Sequence, residues 1–259
     1  MLEQLARFAV ELAGAARSET LPRWQEGCLA DDKSGGGLYD PVTEADRCAE
    51  QAMRRLIEAR FPDHGIQGEE YPERPARGRY AWSLDPIDGT RSFICGLPTW
   101  VTLIALLDEG VPVLGLIDAP RLGELYLGCE GRATLSRDAG ETRLATSGCF
   151  AIGDARLSTT DPFLFAGAEA EGFERVRRAA RTTRYGHDGY AYARVAAGSL
   201  DLVIESGLKP YDYNALIPVV RAAGGAIGDW NGGEDFGAGR IVAAASRPLY
   251  DEAVRLLDA

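Results

Sequence analysis

Histidine is scarce in this 259-residue chain, which has only His64 and His187. Two imidazoles exclude a His-rich zinc cage and argue against Ser-His-Asp chemistry. Cationic side chains are also in the minority. Lys and Arg total 28 against 39 Asp and Glu, a net charge of −11. That excludes an electrostatic partner of nucleic acid or anionic membrane. The five cysteines are odd in number and form no CxxC pair. They build no disulfide framework, and the cytoplasm is the expected compartment. The longest apolar run, near Leu103 to Leu107, is far too short to span a membrane. Met1 to Arg17 carries Glu3 and Glu11 and lacks an apolar block, so it does not read as a secretory signal. What the chain has in abundance is carboxylate. An enzyme of this composition is expected to work with acids.

The length suits one large domain or two small ones. Leu2, Leu5, Ala9 and Leu12 fall at helical spacing and predict an amphipathic N-terminal helix. Lys33-Ser34-Gly35-Gly36-Gly37 predicts a mobile loop, because three glycines cannot hold a regular element cheaply. Thr43-Glu44-Ala45-Asp46 is a capping-box pattern. It opens a helix expected to present Ala45, Ala49, Ala52 and Leu56 on one face and to stop before Pro62. Within that helix Cys48 and Arg54 stand at C-x5-R spacing, but without the glycines a cysteine-phosphatase loop needs. Strands are expected at Tyr80–Leu84, Trp100–Leu107, Val111–Ile117 and Glu124–Leu127, an antiparallel meander. Beyond about residue 145 the rhythm becomes strand–helix alternation, with strands at 155–158, 200–205, 226–230 and 241–245. Helices are expected at 171–180, 189–197, 213–223 and 249–257. The chain therefore divides into an α+β half, 1–145, and an α/β half, 146–259.

Acids stand in three awkward places: Gly68-Glu69-Glu70, Asp85-Pro86-Ile87-Asp88-Gly89-Thr90, and Pro210-Tyr211-Asp212. In the central segment a proline-constrained turn can aim Asp85 and Asp88 at one spot. Crowded carboxylates repel unless a cation lies between them, and oxygen ligands favour hard ions such as Mg²⁺. The Ile87 carbonyl can face the same ion. Gly89-Thr90 then offers free amides to an anion. The three-residue spacing differs from the D-x-D of haloacid-dehalogenase-type phosphatases and suits ion clamping better than nucleophilic attack. Taken alone, Glu69-Glu70 is a solvated turn and Asp212 a helix cap; their convergence with the central segment raises both.

These segments resemble the inositol monophosphatase superfamily of Mg²⁺-dependent, lithium-sensitive phosphatases. Gly68-Glu69-Glu70 resembles its G-E-E motif, and Trp82 to Thr90 its W-x-x-D-P-I-D-G-T signature. Tyr211-Asp212 with Ala223-Gly224-Gly225 resembles its W-D-x-A…E-A-G-G signature, and Pro41 to Asp46 its P-V-T-x-A-D block. Thr90-Arg91-Ser92-Phe93-Ile94, Leu208-Lys209-Pro210-Tyr211-Asp212 and Ser158-Thr159-Thr160-Asp161-Pro162 resemble the bacterial histidinol-phosphate phosphatases within it. Two departures fall where the leaving-group pocket is expected. Gly186-His187-Asp188-Gly189-Tyr190 replaces G-G-D-C-Y, and Asn214 is polar at a usually apolar position.

The resemblance implies an α+β fold, a layered αβαβα sandwich of the inositol monophosphatase/fructose-1,6-bisphosphatase type. It implies two or three Mg²⁺ ions held by Glu69, Asp85, the Ile87 carbonyl, Asp88 and Asp212. It places Asp46, Thr90, Glu69 and Glu70 in catalysis, with Thr90 and Asp46 orienting the attacking water and taking its proton. Gly89 and Thr90 would hold the phosphate. Asp88, Arg91, Asp188, Glu205 and Asp212 join them as substrate-binding residues, and two extra acids suit a cationic amino alcohol better than neutral inositol. Arg91 would meet the phosphate or tie down the loop, and Lys33 would close over a third metal. Plainer readings stand beside these: Glu205 as a strand-end surface acid, Asp188 as a helix cap, Arg91 as a surface salt bridge, Lys33 as a solvated lysine, His64 as a turn residue and His187 as a surface residue. The implied reaction is hydrolysis of L-histidinol phosphate without a phosphoenzyme. Inositol monophosphate or another small sugar or nucleotide phosphate is the alternative, and a non-catalytic phosphometabolite-binding regulator is the alternative of another class. A homodimer acting on a small phosphorylated metabolite, with no nucleic-acid or membrane partner, is expected.

Overall fold

A computed structural model describes residues 2–27, 29–32 and 41–259. Lys33 and the loop at Gly35–Gly37 lie outside the described residues. Helix α1 (Leu2–Glu26) leads through strands β1 (Ala30–Asp32) and β2 (Pro41–Thr43) to helix α2 (Glu44–Arg60). Strands β3 (Gly65–Gly68) and β4 (Tyr80–Asp88) follow, then the short helix α3 (Thr90–Ile94). The meander comprises β5 (Val101–Asp108), β6 (Val111–Ala119), β7 (Glu124–Cys129), β8 (Arg132–Arg137) and β9 (Gly140–Arg143). The rest of the chain alternates: β10 (Arg156–Thr159), α4 (Ala168–Ala179), β11 (Thr182–Tyr185), α5 (Asp188–Ala196) and β12 (Leu202–Glu205). It ends with α6 (Pro210–Tyr213), α7 (Leu216–Ala222), β13 (Ala226–Gly228), β14 (Ile241–Ala244) and α8 (Arg247–Asp258).

Strands β3 to β9 form one seven-stranded sheet in sequence order, parallel at β3–β4 and antiparallel thereafter. A five-stranded sheet runs β11-β10-β12-β14-β13, parallel at its first two pairings and antiparallel at its last two.

The period-2 alternation of buried strands sets the layers. In β5, Ile104 and Leu106 pack with Phe8 and Leu12 of α1 and Met53 and Ile57 of α2. Their neighbours Leu103 and Ala105 face the other way, onto α5 and α7. Val203, Ile241 and Ala243 of the second sheet close on the same two helices. The opposite face of that sheet, through Leu202, Ile204, Val242 and Ala244, packs on Phe173 of α4 and Leu249 and Ala253 of α8. The result is the expected αβαβα sandwich. Helix α7 crosses the first sheet so closely that a Cβ on Gly128 would collide with its backbone, and one on Gly115 with Ala215 just before it.

Two local expectations are corrected. The apolar face of α2 is Ala45, Ala49, Met53 and Ile57, while Leu56 points outward. The helix expected over 213–223 is broken into α6 and α7. Pro218 has no N–H for the carbonyl of Asn214, so a continuous helix would lack that bond.

Candidate active site

Strand β4 delivers the central acids through a bulge. Asp85 pairs with Leu103 and Asp88 with Val101, so one strand advances three residues while the other advances two. In a regular strand, residues an odd number apart face opposite sides. The extra residue turns Asp85 and Asp88 toward the same side, a use of bulges known beside active sites. The kink is held locally. Thr102 Oγ1 donates to the Pro86 carbonyl (2.8 Å), Ile87 N–H to Asp85 Oδ1 (3.1 Å) and Thr90 Oγ1 to the Ile87 carbonyl (3.1 Å).

Asp212 arrives from α6, where its carboxylate accepts the Lys209 N–H at 2.6 Å. Among the described residues, Asp85, Asp88 and Asp212 offer carboxylate oxygens within 4.8 Å of one another. Glu69, from the turn after β3, lines the same cavity of about 280 Å³, together with Ile87, Gly89, Thr90, Lys209 and Tyr211. Burial, then the charges of Glu69, Asp88 and Asp212, drive Asp85 well above the usual carboxylate range. Burial, then Asp188 and Asp212, do the same to Asp88, against the Gly189 N–H that it accepts at 2.5 Å. Crowded carboxylates that repel one another fit a hard divalent cation, and the donor set is all oxygen.

Asp46 lies at the N-terminus of α2, where its carboxylate accepts from Thr43 N–H (2.8 Å) and Thr43 Oγ1 (2.6 Å). Its charge reaches Asp85. Glu70 sits beside Glu69, and its N–H donates to the buried carboxylate of Glu50 at 2.7 Å. Gly89 precedes α3 at φ +85°, and a Cβ there would meet the Asp188 carboxylate.

A second cavity of about 200 Å³ shares Asp88 and Asp212 with the first and adds Thr160, Leu164, Asp188, Tyr192 and Glu205. Glu205 is not a surface acid. It accepts from Thr160 N–H (2.7 Å), Thr160 Oγ1 (3.0 Å) and Thr159 Oγ1 (3.3 Å). Burial outweighs these donors and its carboxyl is pushed up to about 8. Asp188 sits at φ +44°, where an L-residue is strained. Its carboxylate accepts from Ser92 Oγ at 3.4 Å rather than capping α5, whose N-cap is His187. Arg91 stands half-exposed, 3.8 Å from Asp161, and ties α3 to the loop after β10. His187 is half-buried with Nδ1 3.2 Å from Ser158 Oγ. His64 stacks on Phe61 and accepts the Trp82 indole N–H at 3.1 Å.

A model of the inositol monophosphatase family matches residues 1–259. The chain belongs to the inositol monophosphatase family. Among curated relatives it is similar to a histidinol-phosphatase of Mycobacterium tuberculosis, 33% identical over 252 residues and 96% of each chain. It is 50% identical over 194 residues to the chloroplastic bifunctional phosphatase IMPL2 of Arabidopsis thaliana, covering 74% of this chain but 55% of the plant protein. Among solved structures it superposes on an inositol monophosphatase from Zymomonas mobilis with a TM-score of 0.87, 37% identity and coverage of 99% and 98%. The chain is a phosphoric monoester hydrolase of this generally metal-dependent family.

Four residues of this family member's site region carry roles that sequence reasoning missed. Thr160 holds Glu205. Tyr192 reads as an ordinary apolar helix position yet lines the second cavity. Lys209 lines the first, and a signal existed: it is one of two lysines in a chain with 26 arginines. Ser83 donates no chemistry but receives the buried Asn214 amide at 3.1 Å. That corrects the expectation for Asn214, whose side chain ties α6 to β4 and is absent from both cavity walls.

Proposed function

We propose that this chain hydrolyses L-histidinol phosphate to L-histidinol and phosphate, with Mg²⁺ as cofactor. The observation that carries the substrate is the second cavity, where half-buried Asp188 and buried Glu205 stand beside the carboxylate cluster. Such acids recognise an ammonium group, and a cationic amino alcohol supplies one. The similarity to a histidinol-phosphatase supports the same reading.

Glu69, Asp85, Asp88, Asp212 and the Ile87 carbonyl are the residues that would hold the two or three ions. When bound, Mg²⁺ neutralises the crowded carboxylates, acidifies water and stabilises charge on the phosphoryl oxygens. The amides of Gly89 and Thr90 receive the phosphate. Thr90 and Asp46 orient the attacking water, and Asp46 takes its proton, with Glu69 and Glu70 completing that side of the site. Direct attack requires no phosphoenzyme, since positioning and charge stabilisation carry phosphoryl transfer. Arg91 ties α3, which follows those amides, to Asp161. We further propose a homodimer in the cytoplasm, with structural halves divided at residue 145. No described helix is long and apolar enough to cross a membrane.

Hydrolysis of inositol 1-phosphate is the second reading, favoured by the Zymomonas structural relative. A panel of histidinol phosphate, inositol 1-phosphate, fructose 1,6-bisphosphate and an adenosine bisphosphate separates the two. Histidinol phosphate should show the highest kcat/KM; a clear preference for any other compound overturns the substrate assignment.

A further inference from the structure

Tyr192 is 1% exposed, and its hydroxyl has no hydrogen-bond partner among the described residues. A buried unpaired hydroxyl is unfavourable, and native proteins rarely keep one without a use. This one lines the cavity that also holds Asp188 and Glu205. The carboxylates around it have other donors. Glu205 takes Thr159 and Thr160, Asp88 takes the Gly189 amide, and Asp212 takes the Lys209 amide. The Tyr192 ring is packed in the core with Ala191 and Val195 of its own helix, so the oxygen is held in place by a rigid element. A carboxylate of this wall, once ionised, can only accept, whereas a tyrosine hydroxyl that keeps its proton donates.

We propose that the Tyr192 hydroxyl is a specificity-determining contact to the alcohol side of the substrate. It donates to a neutral acceptor there, a hydroxyl oxygen or an unprotonated ring nitrogen, while Asp188 and Glu205 take any positive charge. This rests on the reading that the second cavity receives the leaving alcohol. A site built to hydrogen-bond a substrate group rejects the analogue lacking it, because its own polar atom is then left unpaired.

The test compares wild type with Tyr192→Phe, which removes one oxygen and keeps the ring. Each enzyme is assayed on two compounds. One is whichever of histidinol phosphate and inositol 1-phosphate the wild type prefers. The other is phenyl phosphate, whose leaving group has no acceptor beyond the ester oxygen. On the preferred substrate kcat/KM should fall about 10- to 100-fold, mostly through KM. That loss should exceed the loss on phenyl phosphate at least about tenfold. The Kd of the free product alcohol, read by calorimetry, should rise by the same factor. Equal losses on both compounds, or no loss on either, overturn the proposal. If Tyr192→Phe does not fold, Tyr192→Met is read through the same ratio. A wild type that prefers inositol 1-phosphate defeats the histidinol reading while leaving the Tyr192 comparison intact.

Discussion

Binding of a cationic alcohol should expel a proton from Glu205. Three donors favour its charged form, but burial and the nearby Asp188 outweigh them and hold its carboxyl at about 8. At pH 7 Glu205 is therefore mostly protonated in the empty cavity. An ammonium group nearby reverses the preference, since an opposite charge favours the ionised acid. The sign follows from linkage. The complex binds fewer protons than the free protein, so affinity rises with pH up to about 8 and then levels off. Each pH unit below 8 should weaken binding about tenfold, or about 1.4 kcal/mol. The assay is calorimetry of L-histidinol binding to the metal-free protein in two buffers of different ionisation enthalpy. The buffer dependence should report release of close to one proton at pH 7, and Glu205→Gln should abolish it. Neutral myo-inositol should release none. Heats independent of buffer, or tighter binding at lower pH, would refute the reasoning.

Two further changes probe the site and its support. Asp88→Asn should lower turnover more than about 100-fold by weakening the cation site, while the metal-free protein melts a few degrees higher because a neutral amide avoids the cost of an acid whose ionisation the fold disfavours; full activity would remove Asp88 from the metal ligands. Ser83→Ala leaves the buried Asn214 amide without its partner and should cost about 1–3 kcal/mol in denaturant unfolding, and adding Asn214→Leu should recover most of that loss with KM unchanged.

The layered fold was legible where burial imposes a period. Strand β5 is buried along nearly its whole length, and its unbroken apolar run marks a strand covered on both faces. Strands β9 and β11 were invisible because they lie at sheet edges, with nearly all their residues exposed and no apolar alternation to read. The four-residue step in the face of α2 is subtler. Leu56 is as apolar as Ile57, and only packing against α1 decides which of them turns inward.

The acids of the first cavity were legible for a different reason. A proline between two aspartates breaks strand alternation, and the bulge at Asp85–Asp88 is the physical form of that break. The second cavity was only partly legible. Asp188 and Glu205 could be named, but their partners Ser92 and Thr160 are 96 and 45 residues away in sequence. Asn214 looked like a pocket residue because local sequence cannot show a bond to Ser83, 131 residues distant. Tyr192 was silent because an aromatic at an apolar helical position signals core, and the fate of its hydroxyl depends on what surrounds it.

An acidic protein with a net charge of −11 is assigned an anionic substrate, and bound cations are what reconcile the two. The most direct measurement is phosphate release before and after chelation, followed by titration with Mg²⁺, with lithium added at saturation. Activity should vanish on chelation, return with Mg²⁺ and fall again with lithium. Undiminished hydrolysis in the fully chelated protein would contradict the role given to Asp85, Asp88 and Asp212.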